Sequence, residues 1–143
     1  MKEELKIVNK ENISLLKTFI SKMGSSSKTF RYFDKRDLDC IKNHLVCYII
    51  LKNGEPVAYG HLDREGENIW LGVCVIEEQI GHGYGKKIMS HLTKFAKETN
   101  LRKIQLSVDK ENQNAIKMYC NFGFSKKEEA KNYYLMELNV EKQ

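Results

Sequence analysis

The chain predicts an α+β domain built on a mixed sheet with helices on both faces, and three observations point that way. Residues 46–51, 56–62 and 69–75 are short apolar segments separated only by turn-sized breaks, as in an antiparallel meander. Two stretches of helical apolar spacing then alternate with a strand, which requires helices lying against the sheet. Two more strand-like segments end the chain.

Each element has its own signature. Residues 5–8 alternate as a short strand, and Asn9 is placed to cap a helix whose Ile13, Leu16, Phe19, Ile20 and Met23 share one face. Gly24-Ser25-Ser26-Ser27 ends that helix, and residues 34 to about 44 read as a second one. Residues 46–51 are β-branched and aromatic, as a buried strand requires, and Asn53-Gly54 turns the chain into residues 56–62. After Arg64-Glu65-Gly66-Glu67 the chain runs back over residues 69–75. From residue 85 to about 99, Ile88, Met89, Leu92, Phe95 and Ala96 form one apolar stripe. Residues 104–108 are the next strand. A helix over 112 to about 121 carries Ala115, Ile116, Met118 and Tyr119, and Gly123 closes it. Residues 124 to about 129 and 133–138 pair last, joined near Lys131-Asn132.

Composition narrows the class. At 143 residues, with no linker, no repeat and one proline, residues 1–143 are expected to form a single domain. No apolar run is long enough to cross a bilayer, and Met1-Lys2-Glu3-Glu4-Leu5-Lys6 lacks the apolar stretch of a signal peptide, so a cytoplasmic protein with no membrane partner is expected. Cys40, Cys47, Cys74 and Cys120 match neither a zinc site nor a redox pair; they read as reduced core thiols, with no metal. The net charge of +5 is spread among alternating lysines and glutamates, with no basic aromatic strip for nucleic acid. A basic surface also suits a small polyanion such as a nucleotide cofactor. Monomer and homodimer stay equally open.

One segment reads as a ligand site. The strand ending Val73-Cys74-Val75 runs into Gly81-His82-Gly83-Tyr84-Gly85-Lys86-Lys87, three alternating glycines that open the amphipathic helix. Without a Cβ, glycine lets the chain turn sharply, so that the free N–H groups of the helix start can converge on phosphate oxygens. The helix dipole favours the negative charge, which makes the segment a pyrophosphate site. The competing reading is a plain strand-to-helix turn.

With Ile80-Gly81-His82-Gly83-Tyr84-Gly85 in one segment, and Leu106-Ser107-Val108 followed by Asn112, Ala115, Met118-Tyr119 and Gly123-Phe124 in a second, the chain resembles the GNAT superfamily of N-acetyltransferases. The resemblance covers the whole element order. Two departures stand out. Ile80 occupies a position usually held by Gln or Arg, with Gln79 one residue early, and Met118 replaces the usual leucine. A rim contact to phosphate would then fall to Gln79 or Lys86.

The resemblance implies a mixed, mostly antiparallel sheet whose fourth and fifth strands splay apart. It implies acetyl-CoA as cosubstrate, its pantetheine arm along the strand of Val73 and Val75. The diphosphate would meet the N–H groups of His82, Gly83, Tyr84, Gly85 and Lys86, bordered by Ile80 and Gly81, with Lys86 and Lys87 adding charge. Asn112 would stand at the wall of the gap, and the Val75 N–H would face the oxyanion. Transfer also asks for a proton on the departing thiolate, which Tyr119 can share because a phenol with a pKa of about 10 keeps its proton at neutral pH. Tyr119 can also be read as a helix tyrosine packed on the sheet.

The base is open among several groups. His61 lies on the strand beside the cofactor strand and has a suitable ordinary pKa. His44 competes with it, Asp63 or Glu65 could act through water, and water alone could carry the proton away. For the acceptor, Phe30, Arg31, Tyr32 and Phe33 belong to a stretch of three aromatics among four basic residues, which with His61 could hold a base or sugar and phosphates. This stretch resembles that of GNAT enzymes acting on nucleotide-linked amino sugars; the plainer reading is core aromatics with solvated charges. Rival acceptors for such a small-molecule amine are a protein terminus or lysine, an aminoglycoside and a polyamine. A non-catalytic acyl-CoA-binding module is the alternative of a different class.

Overall fold

The computed structural model describes residues 2–142. In chain order it contains β1 (Glu3–Ile7), α1 (Ile13–Ser21), β2 (His44–Lys52), β3 (Glu55–Glu65), β4 (Asn68–Val75), α2 (Tyr84–Glu98), β5 (Lys103–Asp109), α3 (Gln113–Asn121), β6 (Ser125–Glu129) and β7 (Tyr133–Asn139). The seven strands form one sheet in the order β1-β2-β3-β4-β5-β7-β6. Every neighbouring pair is antiparallel except β4 and β5.

Strand β3 shows how the layers are held. Asn53 and Gly54 take φ of 52° and 83°, the two positive values a tight Asn-Gly hairpin needs to return β2 as β3. Successive residues of β3 then point to opposite faces. The Tyr59 ring meets Phe19 of α1 at 5.9 Å between centroids. Gly60 turns to the other face, where a Cβ would stand 2.2 Å from Ile88 Cγ2 of α2, so only a glycine lets that helix press so close. Helices α1 and α2 therefore cover opposite faces, and Leu16, Phe19, Ile88, Met89, Leu92 and Ala96 are all 0% exposed.

The sheet opens at its parallel pair. Strands β3 and β4 pair from Glu65↔Asn68 to Ala58↔Val75, whereas β4 and β5 share, among the described residues, the Trp70↔Gln105 register alone. Beyond Trp70 the two strands part, as the resemblance implies.

Several expectations need correction. The second helix over 34–44 is only a 3-10 turn at Leu38–Asn43, in which Asp37 caps the Asp39 N–H. Leu38 and Ile41, three residues apart, supply one turn of apolar face and no stripe for a longer helix. Asn9 does cap, accepting from the N–H groups of Glu11 and Asn12, but a 3-10 turn at Lys10–Asn12 precedes α1. Gly24–Lys28 is itself a 3-10 turn and holds a buried Ser26. Of the cysteines expected in the core, Cys47 and Cys74 are buried; Cys40 is half-buried and Cys120 exposed, because Cys120 lies off the apolar stripe of α3. No helix among the described residues is long and apolar enough to cross a membrane.

Candidate active site

A cavity of about 770 Å³ fills the opening between β4 and β5. The Ile76 N–H donates to the Val57 carbonyl at 3.0 Å, so the even-numbered residues of β4 are those that bond β3. The alternation of an antiparallel ladder then turns the N–H and C=O groups of Val73 and Val75 toward the opening. The Val75 carbonyl on that edge accepts the Ser26 hydroxyl at 2.7 Å, which ties the turn after α1 to the end of β4. Ser26 lines the cavity, yet in the sequence it looked like part of a helix terminator.

The start of α2 borders the same cavity. Gly81 and Gly83 have φ of 91° and 85°, and a Cβ at either would meet nothing within 4 Å, so it is the backbone turn that calls for glycine there. Gly85 differs: a Cβ on it would stand 3.3 Å from Met118 Sδ. The first rung of the helix is Lys87 N–H to Gly83 C=O at 3.2 Å, which leaves the N–H groups of Tyr84, Gly85 and Lys86 with no acceptor inside the helix.

Side chains around the cradle divide. Ile80, Gly81, Gly83, Gly85 and Lys86 line the cavity. The Lys87 ammonium lies 2.8 Å from both carboxylate oxygens of Glu3, Tyr84 is buried, and His82 is exposed outside the lining. Gln79, the possible substitute at the rim, accepts from Lys52 at 3.4 Å.

Tyr119 sits on α3 at the cavity wall, 8% exposed, with its ring 5.9 Å from Phe124. Burial raises its phenol pKa well above the ordinary 10, with the Cys74 thiol adding to the shift, so the proton stays on. Among the described residues no side chain hydrogen-bonds that hydroxyl. Asn112 lines the cavity as well, its amide oxygen accepting the Ala115 N–H at 3.4 Å as the cap of α3.

His61 is 1% exposed and stands on β3 opposite Gly72 of β4, where a Cβ would lie 2.6 Å from its Nε2. Burial, then the neighbouring His44 and Arg36, push its pKa well below 6.5, so the ring is neutral at neutral pH. Its Nδ1 lies 2.8 Å from the Tyr59 hydroxyl. The Tyr59 hydroxyl also donates to Cys47 Sγ at 3.7 Å. His44 does not line the cavity; its Nδ1 is 2.9 Å from Cys47 Sγ and its Nε2 2.6 Å from the Tyr32 hydroxyl, which donates to Asp63 at 2.8 Å. Asp63 and Glu65 are both on the cavity wall.

The aromatic segment roofs this histidine. Tyr32 lies 4.3 Å from His61 between centroids, while Phe30 and Phe33 pack on Tyr59 at 6.0 and 5.6 Å. Arg31 is held by both oxygens of Asp109 at 3.2 Å, and the Arg36 guanidinium rests 4.1 Å above the Tyr32 ring. Phe30, Arg31, Tyr32 and Arg36 line the cavity, and Phe33 does not. Sequence reasoning missed Trp70, which lines the cavity with a buried indole N–H that has no hydrogen-bond partner among the described residues.

A sheet that parts beside a helix start is the arrangement that the resemblance to N-acetyltransferases implies. The chain belongs to the acetyltransferase (GNAT) family, whose profile matches residues 13–124. No curated protein matches the sequence. Solved structures agree on the fold. The GNAT domain of S. lividans PAT superposes with a TM-score of 0.81 at 17% identity, over 96% of this chain and 90% of that one. YncA, a putative acetyltransferase from Salmonella typhimurium solved with acetyl-CoA, gives 0.78 at 13% identity over 98% and 95%. The PaiA N-acetyltransferase from Thermoplasma acidophilum, in complex with coenzyme A, gives 0.76 at 15% identity over 97% and 99%.

Proposed function

We propose that this N-acetyltransferase uses acetyl-CoA as cosubstrate and a small-molecule primary amine as acceptor, joined by direct attack in a ternary complex. The observation that supports this best is the continuity of one cavity from the open N–H groups of α2, along the outward main chain of Val73 and Val75, to Tyr119 and His61. Acetyl-CoA supplies the activated acyl thioester. The residues present suit it: the Gly81 and Gly83 turns are open, and two fold neighbours were solved with coenzyme A or its acetyl ester.

Roles follow from position. The N–H groups of Tyr84, Gly85 and Lys86 would hold the diphosphate, with the Lys86 ammonium beside them. Val73 and Val75 would pair their main chain with the amide arm as an added strand would, and the Val75 N–H would donate to the developing oxyanion. Tyr119 keeps its proton over the working pH range and donates it toward the thiolate. His61, neutral by burial and on the cavity wall, takes the proton released by the attacking amine through water in the cavity. It faces Gly72, three residues back along β4 from Val75, or about 10 Å.

Glu65, at the exposed end of β3 and on the cavity wall, favours a cationic amine in solution. A second reading, the nucleotide-linked amino sugar, draws on Arg36: with Arg31 engaged by Asp109, Arg36 is the cavity-lining cation of the segment left to meet a diphosphate. Cysteines that all stand free suit a cytoplasmic enzyme. The test is thiol release from acetyl-CoA with small amines, aminoglycosides, free-amine peptides and nucleotide-linked amino sugars. Release with a small amine supports the proposal. Binding of coenzyme A with release for none of them replaces the enzyme by an acyl-CoA-binding module.

A further inference from the structure

We propose that Asp63 sets the tautomer of His61 through a chain of side-chain hydrogen bonds, so that His61 Nε2 offers a bare lone pair to the cavity. This deepens the reading of His61 as the base and rests on it. Asp63, Tyr32, His44, Cys47 and Tyr59 act in it as positioning residues.

The direction of the chain is fixed at its Asp63 end. A carboxylate only accepts, so the single Tyr32 hydroxyl proton goes to Asp63. The contact between Tyr32 and His44 Nε2 then needs the proton to come from Nε2. Burial lowers the His44 pKa, although Asp63 acts the other way, and a neutral ring with its proton on Nε2 has Nδ1 bare. The contact from Nδ1 to Cys47 must therefore be donated by the thiol, whose pKa burial pushes up to about 12 and which keeps its proton. With its own proton directed to His44, the sulfur accepts from the Tyr59 hydroxyl. The 2.8 Å contact between Tyr59 and His61 is then donated by His61 Nδ1, and in a neutral imidazole that leaves Nε2 bare. Turning the last link round would leave the Tyr59 to Cys47 contact without a proton.

The backbone assembles this chain by an irregularity. His44 and Cys47 are three residues apart and would face opposite sides of a regular strand. The register shifts between His44↔Asp63 and Val46↔Leu62, so that Leu45 is an extra residue and both side chains reach the face of His61. Gly72 makes room for the His61 ring, since a Cβ there would stand 2.6 Å from Nε2. The other charged or titratable groups beside the chain are Arg36 over the Tyr32 ring and Cys40 near the Tyr32 hydroxyl.

Nitrogen-15 NMR of histidine-labelled protein at neutral pH tests the proposal, because the two ring nitrogens report separately whether each carries the proton. Folded wild type is expected to show His61 protonated at Nδ1 and bare at Nε2; the opposite tautomer overturns the proposal whatever the activity. Asp63→Asn keeps the shape but lets residue 63 donate, which allows the chain to reverse. The His61 proton is then expected to move toward Nε2, with kcat falling on the order of tenfold to a hundredfold and coenzyme A affinity unchanged. An unmoved tautomer in that variant overturns the control by Asp63. Should it not fold, the wild-type spectrum alone decides. Loss of coenzyme A binding in wild type would strike the acetyl-transfer reading, which the tautomer measurement does not touch.

Discussion

The two ends of the cavity are built from different material. At the α2 end the useful groups are main-chain N–H and C=O, aimed by two left-handed glycines and by the alternation of β4. At the His61 end they are side chains drawn from β2, β3 and the loop before β2, fitted together in a buried cluster. A main-chain site depends on backbone angles and tolerates changes of side chain; a side-chain cluster depends on each partner. The two ends should therefore fail differently when altered.

The largest effect is expected at the main-chain end. Gly83→Val forces a β-branched residue into φ of 85°, a strain of about 1–2 kcal/mol that relaxes by moving the turn. Losing two hydrogen bonds to a charged group corresponds to coenzyme A affinity lower by about a hundredfold. Calorimetry should show that loss with the fold intact; unchanged affinity would mean that the turn holds nothing.

That contrast also explains what could be read from the chain itself. The glycine turn was legible because φ above zero leaves a residue-type signature at Gly81 and Gly83. The strands and α2 were legible because their apolar periods match their burial, as Ile88, Met89, Leu92 and Ala96 show. The cluster around His61 left no such mark. Leu45 looks like any strand residue, and only the observed register shows that it is the bulge that places His44 with Cys47. The stretch read as a helix over 34–44 lacked an apolar stripe, and its aromatic neighbours were recruited to roof His61. Arg31 read as part of a phosphate-holding stretch because Asp109, its partner, lies on a distant strand.

Tyr119→Phe ranks next. It removes one hydroxyl and no packing, so kcat should fall on the order of tenfold to a hundredfold while coenzyme A affinity stays within about twofold. Equal losses in both would make Tyr119 a packing residue.

The side-chain end should show itself in stability against pH. His44 and His61 are both held below their ordinary 6.5, so the unfolded chain binds more protons than the folded one as pH drops below that value. Their contribution is fully present above pH 6.5 and is lost as pH falls toward the folded values. Melting temperature should drop on the order of a few degrees between about pH 7 and about pH 5.5. A flat profile over that window would show that the pair is not buried neutral.

The smallest effect sharpens the main-chain end. Lys86→Ala should weaken coenzyme A by about threefold at low salt, with the difference fading as salt rises. Lys87→Ala should matter less, because the Lys87 ammonium is engaged with Glu3. The reverse order would reassign the cradle's side-chain charge.

The most direct test is calorimetric titration of coenzyme A into folded wild type and Gly83→Val, side by side. Saturable binding to the wild type and about a hundredfold weaker binding to the variant are expected. Equal affinities, or no binding heat from folded wild type, would contradict a diphosphate held by the main chain at the start of α2.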